Sequence, residues 1–414
     1  MLNNFANKFR RITTNSLYLA EIDGMRFLSL SLVTLFHIRG YFLGYLNKGG
    51  TKLADSPDDY FWFKRFFDNA DRSVPLFFAI SGFILSVPFA HHFINHGKKI
   101  DLKQYYLRRV TRLEPPYFIV MICIFFAEII IGNYDFQTLL PSLGASLIYS
   151  HDLIFHQTPL VTVVAWTLEV EIQFYSIAPF LFKIFALPKI IRRLIIVFFI
   201  IVFVILQYFY PPTFLSIYGH AQHFLTGILL ADFYVCGFAI DFFKQKWIAL
   251  LAPVIFFTMF LMPRWEQTLP PYERPFVPGQ LCMAISFPFL LGLLYYIILR
   301  NEIVKKVFSY KFIPIIGGMC YTTYLVHYTV ISMLGRLTVK VHFTNYYLPN
   351  LFLQFVLLII PILLVASVFY LFIERPFMSK KWIDKLMKRD KHLESANLQS
   401  ELPPETDLAE KTGK

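Results

Sequence analysis

The chain has 414 residues, of which 56% are hydrophobic, 18% aromatic and only 16% charged, with a formal net charge of +12. A soluble domain carries roughly a quarter charged residues, and 47 Phe with 24 Tyr are too many to hide from water in one core, so a soluble globular protein is excluded. Nucleic-acid binding is not indicated by the basic excess, because the Lys and Arg sit mostly in short stretches between apolar runs, which is how topology is written in a membrane protein.

Apolar segments near 26–46, 73–90, 113–132, 161–182, 194–210, 217–238, 247–262, 279–299, 312–335 and 348–373 predict an all-α integral membrane bundle of about ten transmembrane helices. The fifth and seventh are short. The first begins near Arg26, is long and lacks a small-x-small cleavage site, so it is expected to remain a span rather than be removed as a signal peptide. Ten spans put both termini on one side. With both termini cytoplasmic, the inner stretches hold 28 Lys and Arg and the outer ones 9, with none in 133–160. That bias fits the positive-inside rule and predicts a multi-pass protein of the inner or plasma membrane. Residues 1–375 form the transmembrane domain, and 376–414 a cytoplasmic tail, basic from Lys380 to Lys391 and polar and disordered from Glu394. Cys123, Cys236, Cys282 and Cys320 lie in apolar segments and read as small buried hydrophobes, neither a disulfide framework nor a metal site.

Ionisable groups inside a bilayer are costly, so each is a functional candidate by default. In the first span, Asp23-Gly24-Met25-Arg26 is followed by His37. Eleven residues of helix bring Arg26 and His37 to within roughly 20° of one face and about 16 Å apart. An anion-binding group at the cytoplasmic mouth and an acid–base group at depth suit a long, phosphate-bearing donor threading inward. The plain alternative is an Arg that snorkels and a His satisfied by its neighbours. In the inner loop 91–112, Arg108, Arg109 and Arg112 follow Tyr105 and Tyr106. Arg109 and Arg112, at i and i+3, would form one guanidinium pair able to grip phosphates, although any cytoplasmic loop is expected to be basic.

The fourth span carries Trp166, Thr167, Glu169, Glu171, Gln173 and Tyr175. Glu169 and Glu171 are two apart and point to different faces, so they are not a shared-proton pair. One is expected to face the interior and orient or neutralise a cation such as His37 or an Arg, or else to hold an ion pair that only fixes packing. In the ninth span Tyr321, Tyr324 and His327 are three apart, and His327 is a second acid–base candidate or a packing histidine. Ser81-Gly82-Phe83 reads first as a close helix approach and second as a substrate contact. His220, His223 and Asp232 are weaker candidates, and Glu374-Arg375-Pro376 ends the tenth span. No nucleophile elbow, P-loop, H-E-x-x-H or zinc spacing is present, so a covalent Ser or Cys mechanism and a metal centre have no support.

Six pieces occur in chain order: Asp23-Gly-x-Arg26-x10-His37, Leu76 to Phe83, Arg108-Arg109-x-x-Arg112-x-x-Pro115, Trp166-Thr-Leu-x-x-Glu171-x-Gln173-Phe174-Tyr175, Tyr324-Leu-x-His327 and Glu374-x-Pro376. Together, over about residues 20–377, they resemble the acyltransferase-3 family of integral membrane acyltransferases, which includes O-antigen and other cell-surface O-acetylases. The resemblance implies that Arg26, His37, Arg109 and Arg112 are essential and that Glu171, not Glu169, is the family's Glu. Glu114 before Pro115 and Thr167 depart from the family pattern without touching those positions. It further implies transfer of an acyl group, acetyl foremost, from acyl-CoA, a substrate rather than a resident cofactor, to a hydroxyl of a surface carbohydrate.

On that reading His37, Arg26 and Glu171 are catalytic candidates, while Arg109, Arg112 and Arg108 bind the donor. Asp23, Ser81, Trp166, Tyr324 and His327 support them. The outer loops 47–72 and 263–278 are expected to shape the acceptor site. A lipid, antibiotic or peptidoglycan-sugar acceptor is an alternative. A transporter would be expected to show inverted repeats, which are not evident.

Overall fold

The structure is a computed structural model that describes residue 9 and residues 18–263 and 276–378. The Lys and Arg ahead of residue 18, most of the outer loop 263–278, and the tail from 379 onward lie outside the described residues. Among the described residues the chain is helical with no strand. Its helices are α1 (Ala20–Asn47), α2 (Phe61–Asp68), α3 (Ser73–Ile94), α4 (Leu102–Ile130), α5 (Phe136–Leu147), α6 (His151–Phe155), α7 (Trp166–Leu181) and α8 (Lys189–Phe209). After them come α9 (Ala221–Val235), α10 (Ile240–Phe243), α11 (Leu251–Leu261), α12 (Pro278–Arg300), α13 (Glu302–Phe308), α14 (Ile313–Gly318), α15 (Cys320–Thr338) and α16 (Tyr347–Phe369). A π-helical turn, Tyr370–Glu374, then leads into α17 (Arg375–Phe377).

Among the described residues six helices are long and apolar enough to cross a membrane: α1, α3, α4, α8, α12 and α16. Each of the ten predicted segments falls on a helix. Those on α7, α9 and α11 fall short of that length, and the one on α15, 19 residues long, of that apolarity. Three of these four carry the polar residues of the bundle interior: Glu169 and Glu171 on α7, His223 and Asp232 on α9, and Thr322 and His327 on α15. A helix surrounded by other helices can bear such groups, whereas lipid-facing helices must stay apolar. On α16, Phe352, Val356, Ile360, Leu364 and Val368 recur every fourth residue and are all exposed, a stripe suited to lipid.

The predicted inner loop 91–112 is not all loop. Asp101 caps the start of α4, its side chain accepting from the backbone N–H of Lys103 at 2.9 Å. Arg108, Arg109 and Arg112 therefore stand on the first turns of a helix that continues into the apolar run. Pro115 and Pro116 lie inside α4 and lack the N–H groups that would bond the carbonyls of Thr111 and Arg112, loosening the helix beside the arginines.

Two close helix crossings set the frame. On α3, a Cβ added to Gly82 would meet the Phe224 carbonyl oxygen at 2.3 Å, and one on Gly227 of α9 would meet that of Ala79 at 2.2 Å. Small residues on both sides let these backbones touch, which bears out the packing reading of the Ser81-Gly82 pair. At the second crossing, a Cβ on Gly317 would sit 1.7 Å from the Asp23 carbonyl oxygen, so α14 lies directly against the start of α1. Beside the first crossing, the Phe174 ring stacks on Phe224 with centroids 4.0 Å apart.

Candidate active site

The start of α1 meets α4, α7 and the π-helical turn in a layer of opposed charges. The Arg26 guanidinium donates to Asp23 Oδ1 at 2.5 Å, one helical turn back. Both are largely buried, with side-chain exposures of 15% and 3%. Glu171 of α7 accepts from the Ser81 hydroxyl and from the Tyr175 hydroxyl, each at 2.6 Å, and Arg26 is its cationic neighbour. Arg112 has Glu374, Arg26 and Asp23 as its main charge neighbours. Two cations and three carboxylates buried together hold one another by Coulomb attraction in a poorly solvated space.

Arg109 is differently placed. Its guanidinium lies 3.6 Å from the Tyr105 ring centroid and 5.8 Å from that of Tyr175, and donates to the Tyr105 carbonyl at 2.7 Å. It has no carboxylate partner among the described residues, and its buried Nε has no hydrogen bond. Arg109 and Arg112 thus face different neighbours instead of forming one matched pair, with Tyr175 interacting with both. Arg108 donates to Gln104 at 3.3 Å, an exposed contact within its own helix away from the buried layer.

Farther along α1, about 16 Å by helical rise, the His37 ring contacts Phe36 at 5.3 Å, His327 at 5.3 Å and Tyr328 at 5.1 Å between centroids. His327 Nδ1 is 2.6 Å from the Tyr324 carbonyl. A carbonyl only accepts, so that nitrogen carries the proton and, in the neutral ring, Nε2 holds the lone pair. This Nε2 is buried with no partner among the described residues. Cys320, Tyr324 and His327 recur along one face of α15 at i, i+4 and i+7. Cys320 has Arg26, Glu374 and Glu171 as charge neighbours, and the Tyr324 hydroxyl takes a hydrogen bond from Thr167 at 3.0 Å. One face of α15 therefore runs from the charged layer to the histidine pair, alongside α1.

Most of the sequence candidates converge on this line: Asp23, Arg26, Ser81, Arg109, Arg112 and Glu171 at the charged end, Tyr324 between, and His37 with His327 at depth. Glu171 does not pair with His37; its neighbours are Ser81, Tyr175 and Arg26. Glu169 turns the other way and accepts from the Asp152 backbone N–H at 3.1 Å, holding α6. Trp166 is not on the line, for its ring stacks on His220 at 5.4 Å. Asp232 is consumed by ion pairs to Arg192 and Arg193 that tie α9 to α8.

Glu374 belongs to the charged layer, although the sequence read it as a helix end and as part of the family resemblance, with no role assigned to it. It accepts from the Thr322 hydroxyl at 2.5 Å and is almost completely buried. Its signal was a carboxylate closing an apolar run just before a proline. Tyr175, four residues beyond Glu171 on the same helix face, was legible from spacing.

The comparisons with known proteins agree. A family profile described as an acyltransferase domain matches residues 19–371. The chain is similar to the peptidoglycan O-acetyltransferase OatA of Listeria monocytogenes, with 22% identity over 395 residues, covering 89% of this chain and 57% of the relative. The chain thus spans a little over half the length of that relative. No solved structure matches. With a profile that runs from the start of α1 to the π-helical turn and takes in the histidine pair and all of the charged layer but Glu374, this integral membrane protein belongs to the acyltransferase-3 family.

Proposed function

We propose that the protein moves an acyl group, acetyl foremost, from acyl-CoA on the cytoplasmic side of the cell membrane to a hydroxyl of a surface carbohydrate on the other side. The observation that carries this reading is the line of residues from the buried arginines to the His37–His327 pair. Arg109, whose guanidinium lacks a carboxylate partner among the described residues, would grip a donor phosphate. Arg112 and Arg26, held in place by Glu374, Glu171 and Asp23, supply positive charge beside it. The acyl-bearing arm would run along α1 and α15 towards His37.

At that point neutral His37 accepts the proton of the acceptor hydroxyl while its oxygen attacks the thioester carbonyl. The new carbon–oxygen bond forms, the carbon–sulfur bond breaks, and the departing thiolate takes the proton back from His37. Ester and free CoA thiol are the products, and only the acyl group crosses. Glu171 acts here as a positioning residue, fixing Arg26. A carbohydrate acceptor is favoured by the similarity to a peptidoglycan O-acetyltransferase. Wild type and His37→Ala would be expressed at matched levels in a strain lacking its own copy, and ester-linked acetyl on purified surface glycan read by NMR. Wild type should restore the ester and folded His37→Ala lose it by a factor of about 100 or more. Equal ester from both would end the role of His37, and no ester from wild type would end the carbohydrate reading.

A further inference from the structure

Farther along α1 from the charged layer, a cavity of about 510 Å³ is lined by Phe36, Phe61, Lys64, Arg65, Asp68 and Asn69. Four of these six come from α2, where positions 61, 64, 65 and 68 are i, i+3, i+4 and i+7, a single helical face. Phe36 forms the wall towards the active site, and its ring contacts that of His37 at 5.3 Å. The cavity is therefore one aromatic side chain away from the proposed base. Its volume lies in the range of small-ligand sites, which combine apolar surface with a few fixed polar groups.

The polar groups are held in place. Asp68 takes Arg39 at 2.8 Å on one oxygen and Lys64 at 3.4 Å on the other. Arg65 is anchored through Nε to the Leu261 carbonyl at 2.7 Å. Asn69 spends its amide N–H groups on the carbonyls of Phe260 and Met262, at 2.8 and 3.0 Å. Its Oδ1 is buried with no partner among the described residues, and the residue is only 2% exposed. A buried acceptor without a donor is unfavourable, and a hydroxyl entering the cavity would satisfy it. Phe61 is 57% exposed, with the Arg65 guanidinium 5.7 Å from its ring centroid.

We infer that this cavity is the acceptor subsite and that it takes one sugar ring, stacked on Phe61 and held through its hydroxyls by Lys64, Arg65 and Asn69. The ring would direct a free hydroxyl past Phe36 to His37. This inference rests on the transferase reading above and adds to it which face of the protein selects the acceptor. An aromatic residue at a membrane boundary can instead be an interfacial anchor, and the test separates the two.

The test uses the full-length protein in lipid nanodiscs, acetyl-CoA as donor, and glycan fragments stripped of their esters by mild base from the producing strain's own envelope. Phe61→Ala and Lys64→Ala alter exposed side chains and leave the helix packing intact. Each should raise the acceptor KM about tenfold while donor KM and kcat stay within twofold, and Lys64→Arg should restore most of the loss. Unchanged acceptor KM in both folded variants overturns the subsite, even with wild type fully active. A lower protein yield from Phe61→Ala with unchanged KM assigns it to membrane anchoring and equally overturns it. Failure of wild type to acetylate the fragments, with acetyl-CoA still consumed, counts against the carbohydrate reading itself and takes the subsite with it.

Discussion

Glu169 and Glu171 are separated by one residue, yet their carboxylates end in different neighbourhoods. The first accepts a backbone N–H from α6, and the second takes two hydroxyls and lies beside Arg26. Spacing alone required different faces; it did not reveal that Ser81, ninety positions earlier, would be the partner of Glu171. Removing the charge at position 171 leaves Arg26 with Asp23 alone, and a hydrogen bond to a charged group is worth about 1.5–3 kcal/mol. Glu171→Gln should therefore slow acetyl transfer tenfold or more. Glu169→Gln, which keeps an acceptor oxygen for α6, should stay within about threefold. Initial rates on equal amounts of monodisperse protein decide this, and equal losses in the two variants would contradict the assignment. Glu374 marks what was not legible. The sequence signals a stop at Pro376, but a π-helical turn, a feature frequent at functional sites, delivers the Glu374 carboxylate to Thr322.

At the scale of elements, the long apolar helices were the most legible because lipid-facing segments must be apolar over about 20 residues. Where a helix is shielded by others, that demand lapses. The shorter α7, α9 and α15 accordingly bear buried polar side chains and lack the length or the apolarity of the long helices. The 12-residue α5 was missed altogether, since it is too short for that criterion and sits in a stretch read as loop. The α3–α9 crossing, by contrast, was foreshadowed by Gly82. At this crossing the neighbouring atoms are backbone and cannot swing aside. Gly227→Ala should thus destabilise by about 1–3 kcal/mol, the cost of overpacking a tight interior. A lower thermal-unfolding midpoint in detergent would bear this out, and a midpoint equal to wild type would mean that the helices separate at no cost.

The whole molecule is a helical bundle with the buried arginines, proposed to bind phosphate, at one end of α1 and the aromatic cavity, proposed to bind hydroxyls, farther along it beside Phe36. Between them His37 and His327 stand where the two would meet. Among the described residues six helices are long and apolar enough to cross a membrane, the family is shown, and the Lys and Arg bias supports the arginine end as the cytoplasmic one. The proposed function requires that sidedness, because a donor and an acceptor on the same side would need no membrane-buried base. Sealed vesicles holding the protein in one known orientation, with acetyl-labelled acetyl-CoA given to one face and de-esterified glycan present on both, test this directly. The account predicts labelled ester only on glycan opposite the CoA, only when CoA is supplied at the arginine face, with free CoA remaining there. Label appearing equally well when acetyl-CoA is supplied at the cavity face would contradict it.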